Sequence, residues 1–137
     1  MRRFARGLMA AGTTVAAIVL TASPAQASTD ALIYVNDCSW VGCPEVGSGY
    51  FHADPAGSIP GDALQACDRY ADGWGVITWM IDENNTVIRE ATTQGQDSPY
   101  CTPWQTGNLP EEKYLMVIAC KIKGTTTELC ESRDAWA

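Results

Sequence analysis

Cys67-Asp-Arg-Tyr-Ala-Asp-Gly-Trp-Gly-Val-Ile-Thr-Trp79 decides between a helical and a sheet-forming chain. Ala71-Asp72-Gly73 has the chemistry for reversing direction, because glycine tolerates positive φ and aspartate hydrogen-bonds to nearby backbone. Asp62 to Asp68 leads into this corner as a strand, and Trp74 to Ile81 climbs out as another. The second run is apolar on both faces, with Val76 and Met80 against Ile77, Trp79 and Ile81, which is the pattern of a central strand. Asp68 and Asp72 could also offer oxygens to calcium. They lack the dense acidic spacing and bidentate Glu of an EF-hand loop, so they read as turn residues.

Downstream, Glu83-Asn84-Asn85 is a second turn, since Asn accepts left-handed backbone angles better than most residues, and Thr86 to Thr92 returns with β-branched content. A two- or three-residue loop decides whether Trp79 faces Glu90 or Arg89, and both registers stay open. Tyr114 to Ile122 is the strongest strand. Tyr114, Met116, Ile118, Cys120 and Ile122 alternate onto one face, and Lys121 and Lys123 emerge on the other. A turn at Lys123-Gly124-Thr125 leads into a strand from Thr126 to Ser132, after which the chain reads as a tail with Trp136 able to fold back.

Upstream, Ala31 to Val35 suits a first strand. Pro44 to Gly61 is dominated by Gly, Ser, Pro and Ala and reads as loop or irregular edge, with room for a short strand at Tyr50, Phe51 and His52. Short strands, turn signals roughly every ten residues and almost no helical periodicity give an all-β fold, a small antiparallel two-sheet sandwich.

The leader is a separate matter. Arg2, Arg3 and Arg6 precede an apolar stretch from Leu8 to Leu20 that ends in Ala25-x-Ala27, the pattern of a secretory signal peptide cleaved before Ser28. The expected organisation is residues 1–27 as signal peptide, 28–61 as an N-terminal strand and Gly/Pro-rich loop, and 62–137 as the sandwich core, with 28–137 forming one domain. Without the leader, six basic residues face sixteen acidic ones, a net charge of −10. Such a field repels phosphate backbones and anionic lipid, so neither nucleic acid nor membrane insertion is expected. The expected location is extracellular.

Cys38, Cys43, Cys67, Cys101, Cys120 and Cys130 all fall after the leader, an even count in a short secreted chain, so three disulfides are expected. Six cysteines permit fifteen pairings, and the residues alone leave the connectivity open. Cys38 and Cys43 can close a small ring if the backbone turns at Gly42. Cys101 can tether the polar segment around it by pairing with Cys67. A hairpin symmetric about Thr125 sets Cys120 opposite Cys130. There is no Cys-x-x-Cys, and the lone His52 lies far from most thiols, so no metal or other cofactor is expected.

Gly61 to Ala137 resembles a group of small secreted actinobacterial proteins of unassigned activity. The likeness rests on Cys67-Asp68 with Asp72-Gly73, Cys101, Leu109-Pro110-Glu111, and Cys120 with Cys130; it departs at Glu112, where the group has glycine, and excludes residues 28–60. The resemblance implies an immunoglobulin-like or fibronectin-like sandwich and supports the pairings Cys67–Cys101 and Cys120–Cys130. It implies no reaction.

For chemistry, a Ser or Cys hydrolase would need His52 as its base, and no Gly-x-Ser-x-Gly elbow accompanies it. A glycosidase needs only two carboxylates, a criterion that sixteen acids make nearly empty. The segment Gln94 to Asn108 presents Tyr100, Trp104 and Gln105 around Cys101, the composition of a braced binding loop. The expected function is therefore non-catalytic binding of an extracellular protein or cell-envelope polymer through Tyr100, Trp104 and Gln105. Tyr50 to His52 is the rival contact surface. A small extracellular hydrolase using loop carboxylates is the alternative.

Overall fold

A computed structural model describes residues 27–137. The signal-peptide reading of residues 1–27 therefore falls almost wholly outside the described residues. The chain forms eight strands and, among the described residues, no helix: β1 (Ala31–Asn36), β2 (Glu45–His52), β3 (Ala63–Asp68), β4 (Gly75–Asp82), β5 (Val87–Thr92), β6 (Tyr100–Cys101), β7 (Tyr114–Lys123) and β8 (Thr126–Trp136). Two antiparallel four-stranded sheets result, ordered β1-β2-β3-β6 and β5-β4-β7-β8. Ile33, Val35, Phe51 and Leu64 of the first sheet meet Val76, Met80, Leu115 and Val117 of the second in one core. The fold is the expected all-β, disulfide-stapled sandwich, with bonds Cys38–Cys43, Cys67–Cys101 and Cys120–Cys130.

β4 is central, between β5 and β7, and its two apolar faces serve different clusters. Val76 and Met80 enter the main core, whereas Ile77 joins Cys120 and Ile122 on the outer side of the second sheet, with Trp79 and Ile118 packed on them. Trp79 faces Glu90 and donates its indole N–H to that carboxylate at 2.8 Å. The Asp72-Gly73 turn does not close a hairpin. β3 and β4 lie in different sheets, so the turn carries the chain from one layer to the other.

Three segments depart from the sequence reading. Residues 44–61 contain an eight-residue strand, β2, paired on both sides with β1 and β3. Its glycines are packing residues: a Cβ on Gly49 would stand 2.6 Å from Thr78 Oγ1 and 2.8 Å from the Ala119 Cβ, so the bare backbone lets the sheets approach. The residues after Ser132 are not a tail. β8 runs to Trp136, which pairs with Tyr114 and bridges Thr29, and Ala135 and Ala137 are buried. Lys121 does not emerge into solvent but is only 4% exposed, for the reason given below.

The β7–β8 hairpin is not symmetric about Thr125. Lys123 pairs with Thr126 and Lys121 with Glu128, whereas Ala119 pairs with Glu131. A one-residue bulge separates the two registers, and Leu129 within it sits at φ 51°. The extra residue is what brings Cys130 rather than Leu129 alongside Cys120.

Candidate functional site

The polar segment Gln94 to Asn108 is a strap along the open edge of β3. Ser98 Oγ donates to Asp68, Tyr100 and Cys101 pair with Asp68 and Cys67, the Thr102 N–H reaches Ala66 O at 2.9 Å, and Gln105 exchanges backbone bonds with Leu64 at 2.8 and 2.9 Å. The Leu109 N–H ends the run on Asp62 Oδ2 at 2.8 Å. Prolines at 99 and 103 keep this edge from becoming a long strand, and Cys101 fixes it covalently.

Side chains alternate across a sheet, so the strap divides the expected site. Tyr100 shares the register of the buried Asp68, on the side opposite Cys101. Gln105 is exposed and is held chiefly through its backbone. Trp104 is half-buried against β2, with its ring centroid 5.6 Å from Tyr50 and 6.5 Å from His52, and those two rings are 5.6 Å apart. The strap thus adds one residue to the β2 surface, from which Phe51 is turned into the core. Trp104 belongs with Tyr50 and His52 on the outer face of the first sheet, whereas Tyr100 does not join them.

Polar groups surround the trio. Asp30 Oδ1 accepts the Ala53 N–H at 2.8 Å and lies 3.3 Å from His52 Nδ1, at ion-pair distance but outside hydrogen-bond alignment. Burial and then the charge of Asp30 raise the Tyr50 phenol pKa, so the hydroxyl stays protonated at ordinary pH. Gln65 faces Tyr50 across the β2–β3 ladder and donates to Thr102 O at 2.9 Å. The arrangement offers tilted apolar ring surfaces edged by a phenol, an indole N–H, an amide and a carboxylate.

On β2 itself no nucleophile stands beside His52. Ser48 is the nearest serine on the same strand face, four residues from His52 and so about 13 Å away at ordinary strand rise. All six cysteines are in disulfides. The carboxylates Asp54, Asp62 and Glu111 line a cavity of about 280 Å³ beside Ala137, but Asp54 accepts from Ser28 and Asp62 from Leu109. Among the described residues no group of three or more His, Cys, Asp or Glu could hold a metal ion.

At the opposite end, Asp72 and Asp37 grip Lys121 Nζ at 2.9 and 3.2 Å, with Trp74 beneath it at 5.3 Å. Burial works against the charged amine, but the hydrogen bonds to Asp72 and Asp37 outweigh it and the Lys121 pKa is raised. Asp72 is also desolvated, yet Lys121 and the Trp74 N–H lower its pKa. Asp72, expected as a turn residue only, thus ties the corner to β7. A cavity of about 510 Å³ opens beside it, lined by Trp74, Gln94, Asp97, Ser98 and Lys123, and the lysines stand over its indole at 5.3 and 5.7 Å.

No protein family matches this chain, and neither a curated protein nor a solved structure is similar to it.

Proposed function

We propose that the protein is a secreted, non-catalytic binding module for a sugar polymer of the cell envelope, with Trp104 and Tyr50 as the contact surface and the buried His52 packed beside them. The observation that carries this reading is the packing of Trp104 against Tyr50 on an open sheet face. The apolar C–H faces of sugar rings suit half-exposed aromatic planes, and their hydroxyls suit the polar rim of Tyr50, Gln65 and Asp30. Cys67–Cys101 and the backbone bonds of the strap hold Trp104 in place before binding, which keeps the ordering cost low. Three disulfides fit an oxidising, extracellular location.

Kinship with the small secreted actinobacterial proteins is part of the same proposal. The two-layer antiparallel build supports an immunoglobulin-like relation at the level of architecture, although the consecutive β1-β2-β3 order differs from the A-B-E-D order of immunoglobulin sheets.

Co-sedimentation with insoluble peptidoglycan, chitin and cellulose tests the reading. The expected result is retention on one of these polymers that Trp104→Ala and Tyr50→Ala each reduce by at least about tenfold, while Tyr100→Ala leaves it unchanged. Equal retention of all four proteins, or none on any polymer, would contradict it.

A further inference from the structure

β8 is the outer strand of the second sheet, and its far edge is open. Which backbone groups line that edge is set at one end. The Thr29 N–H reaches Trp136 O at 2.9 Å and the Trp136 N–H reaches Thr29 O at 3.4 Å, so the backbone groups of Trp136 point away from β7. Strand alternation turns those of Asp134 and Ser132 the same way, because the β7–β8 register is regular from Glu131 to Trp136. Among the described residues no strand pairs with them, and a cavity of about 320 Å³ opens beside Glu131, Ser132 and Arg133. Glu131 and Arg133 stand opposite the buried Ala119 and Val117, on one face of the sheet, and both are exposed. Neither is in an ion pair among the described residues.

From this geometry we infer that the β8 edge is a dimer interface whose occupant is the β8 edge of a second copy, paired antiparallel about Ser132. A twofold axis through that position lets the two Ser132 residues exchange N–H···O bonds. The same register sets Glu131 of each copy opposite Arg133 of the other. These are non-hydrogen-bonded positions, where side chains come closest. Glu131-Ser132-Arg133 is therefore self-complementary, which commits the edge to a copy of itself rather than to an unrelated strand. Charges on an edge ordinarily keep other strands away, and here the register about Ser132 turns them into attraction. Pairing stops on either side. Thr29 occupies the outward position at Trp136, and the bulge at Leu129 bends β8 before the hairpin turn. The net charge of −10 after the leader opposes association, but at physiological ionic strength it is screened beyond about 8 Å, which leaves the two short-range pairs to decide. An axis normal to the sheet also keeps both first sheets on the same side. On the polymer-binding reading, which the dimer itself does not require, the two Trp104–Tyr50 faces then meet one polymer surface together.

Sedimentation equilibrium of the oxidised protein, from micromolar to millimolar concentration at physiological ionic strength, tests the inference. The expected result is a monomer–dimer equilibrium whose Kd rises at least about tenfold with Arg133→Glu, and likewise with Glu131→Arg. An equimolar mixture of these two variants should form a heterodimer of wild-type affinity, because every acidic position then meets a basic one. The double variant Glu131→Arg with Arg133→Glu should dimerise as the wild type does, which separates charge pairing from damage to the fold. The inference is overturned if the protein stays monomeric throughout the range, if neither single substitution weakens the dimer, or if the mixture stays monomeric. A dimer that Trp40→Ala dissociates would overturn it in favour of contact through the Cys38–Cys43 ring. No polymer enters this measurement, so loss of the dimer leaves the Trp104–Tyr50 reading to its own assay.

Discussion

Lys121 illustrates how far a single residue's role depends on its surroundings. Its side chain is 5% exposed, whereas Asp37 and Asp72 keep 47% and 26% of theirs. Removing the lysine leaves two carboxylates that water can reach, so Lys121→Met should cost only about 1–3 kcal/mol. Neutralising both acids strands a buried ammonium, and Asp37→Asn with Asp72→Asn should cost more, about 3–5 kcal/mol. Urea titrations of the variants measure the difference. The pH dependence follows from the two shifts. The Lys121 pKa is raised on folding, so its contribution is complete below the unfolded value of about 10.4 and fades as pH rises through the folded value. The Asp72 pKa is lowered, so its contribution is present above about 3.9 and fades as pH falls through the folded value. The stability gap between wild type and Lys121→Met should therefore be widest between those limits. At Gly49 the constraint is space. Gly49→Ala drives a methyl into Thr78 and Ala119, and should destabilise by about 1–3 kcal/mol in the same assay.

At the scale of elements, local chemistry was the legible part. The strands around the Asp72-Gly73 corner, the Asn85 turn at φ 58° and the alternation of β7 follow from turn residues and period-two patterning. Elements defined by distant partners were not legible. Gly47 and Gly49 look like loop punctuation because their role is visible only when β4 and β7 lie over them. β8 looks spent at Ser132 because the polar run that continues it faces solvent on an edge strand. Trp104 meets Tyr50 through the β2–β3 register and the strap, a contact between residues more than fifty positions apart. Replacing Cys67 and Cys101 by Ser reopens a loop of 34 residues, and should cost about 3–4 kcal/mol and weaken polymer retention as Trp104 loosens. Deleting residues 133–137 removes buried Ala135 and Ala137 with their ladder bonds, and should lower stability by more than about 3 kcal/mol, as read by thermal denaturation.

For the whole molecule, the sandwich separates two surfaces. The first sheet carries the Trp104–Tyr50 face, and the second ends in the open β8 edge. Each is braced by its own disulfide, and the core between the sheets is shared. The most direct test of the binding face is a two-dimensional amide and indole NMR titration of the oxidised protein with soluble fragments of peptidoglycan, chitin and cellulose. The expected result is saturable shifts, for one of these fragments, at the Trp104 indole N–H, Tyr50, His52 and Gln65, with Tyr100 and the Trp40 indole unmoved. Shifts centred on Trp74 or Trp40, or no saturable shift with any fragment, would contradict it.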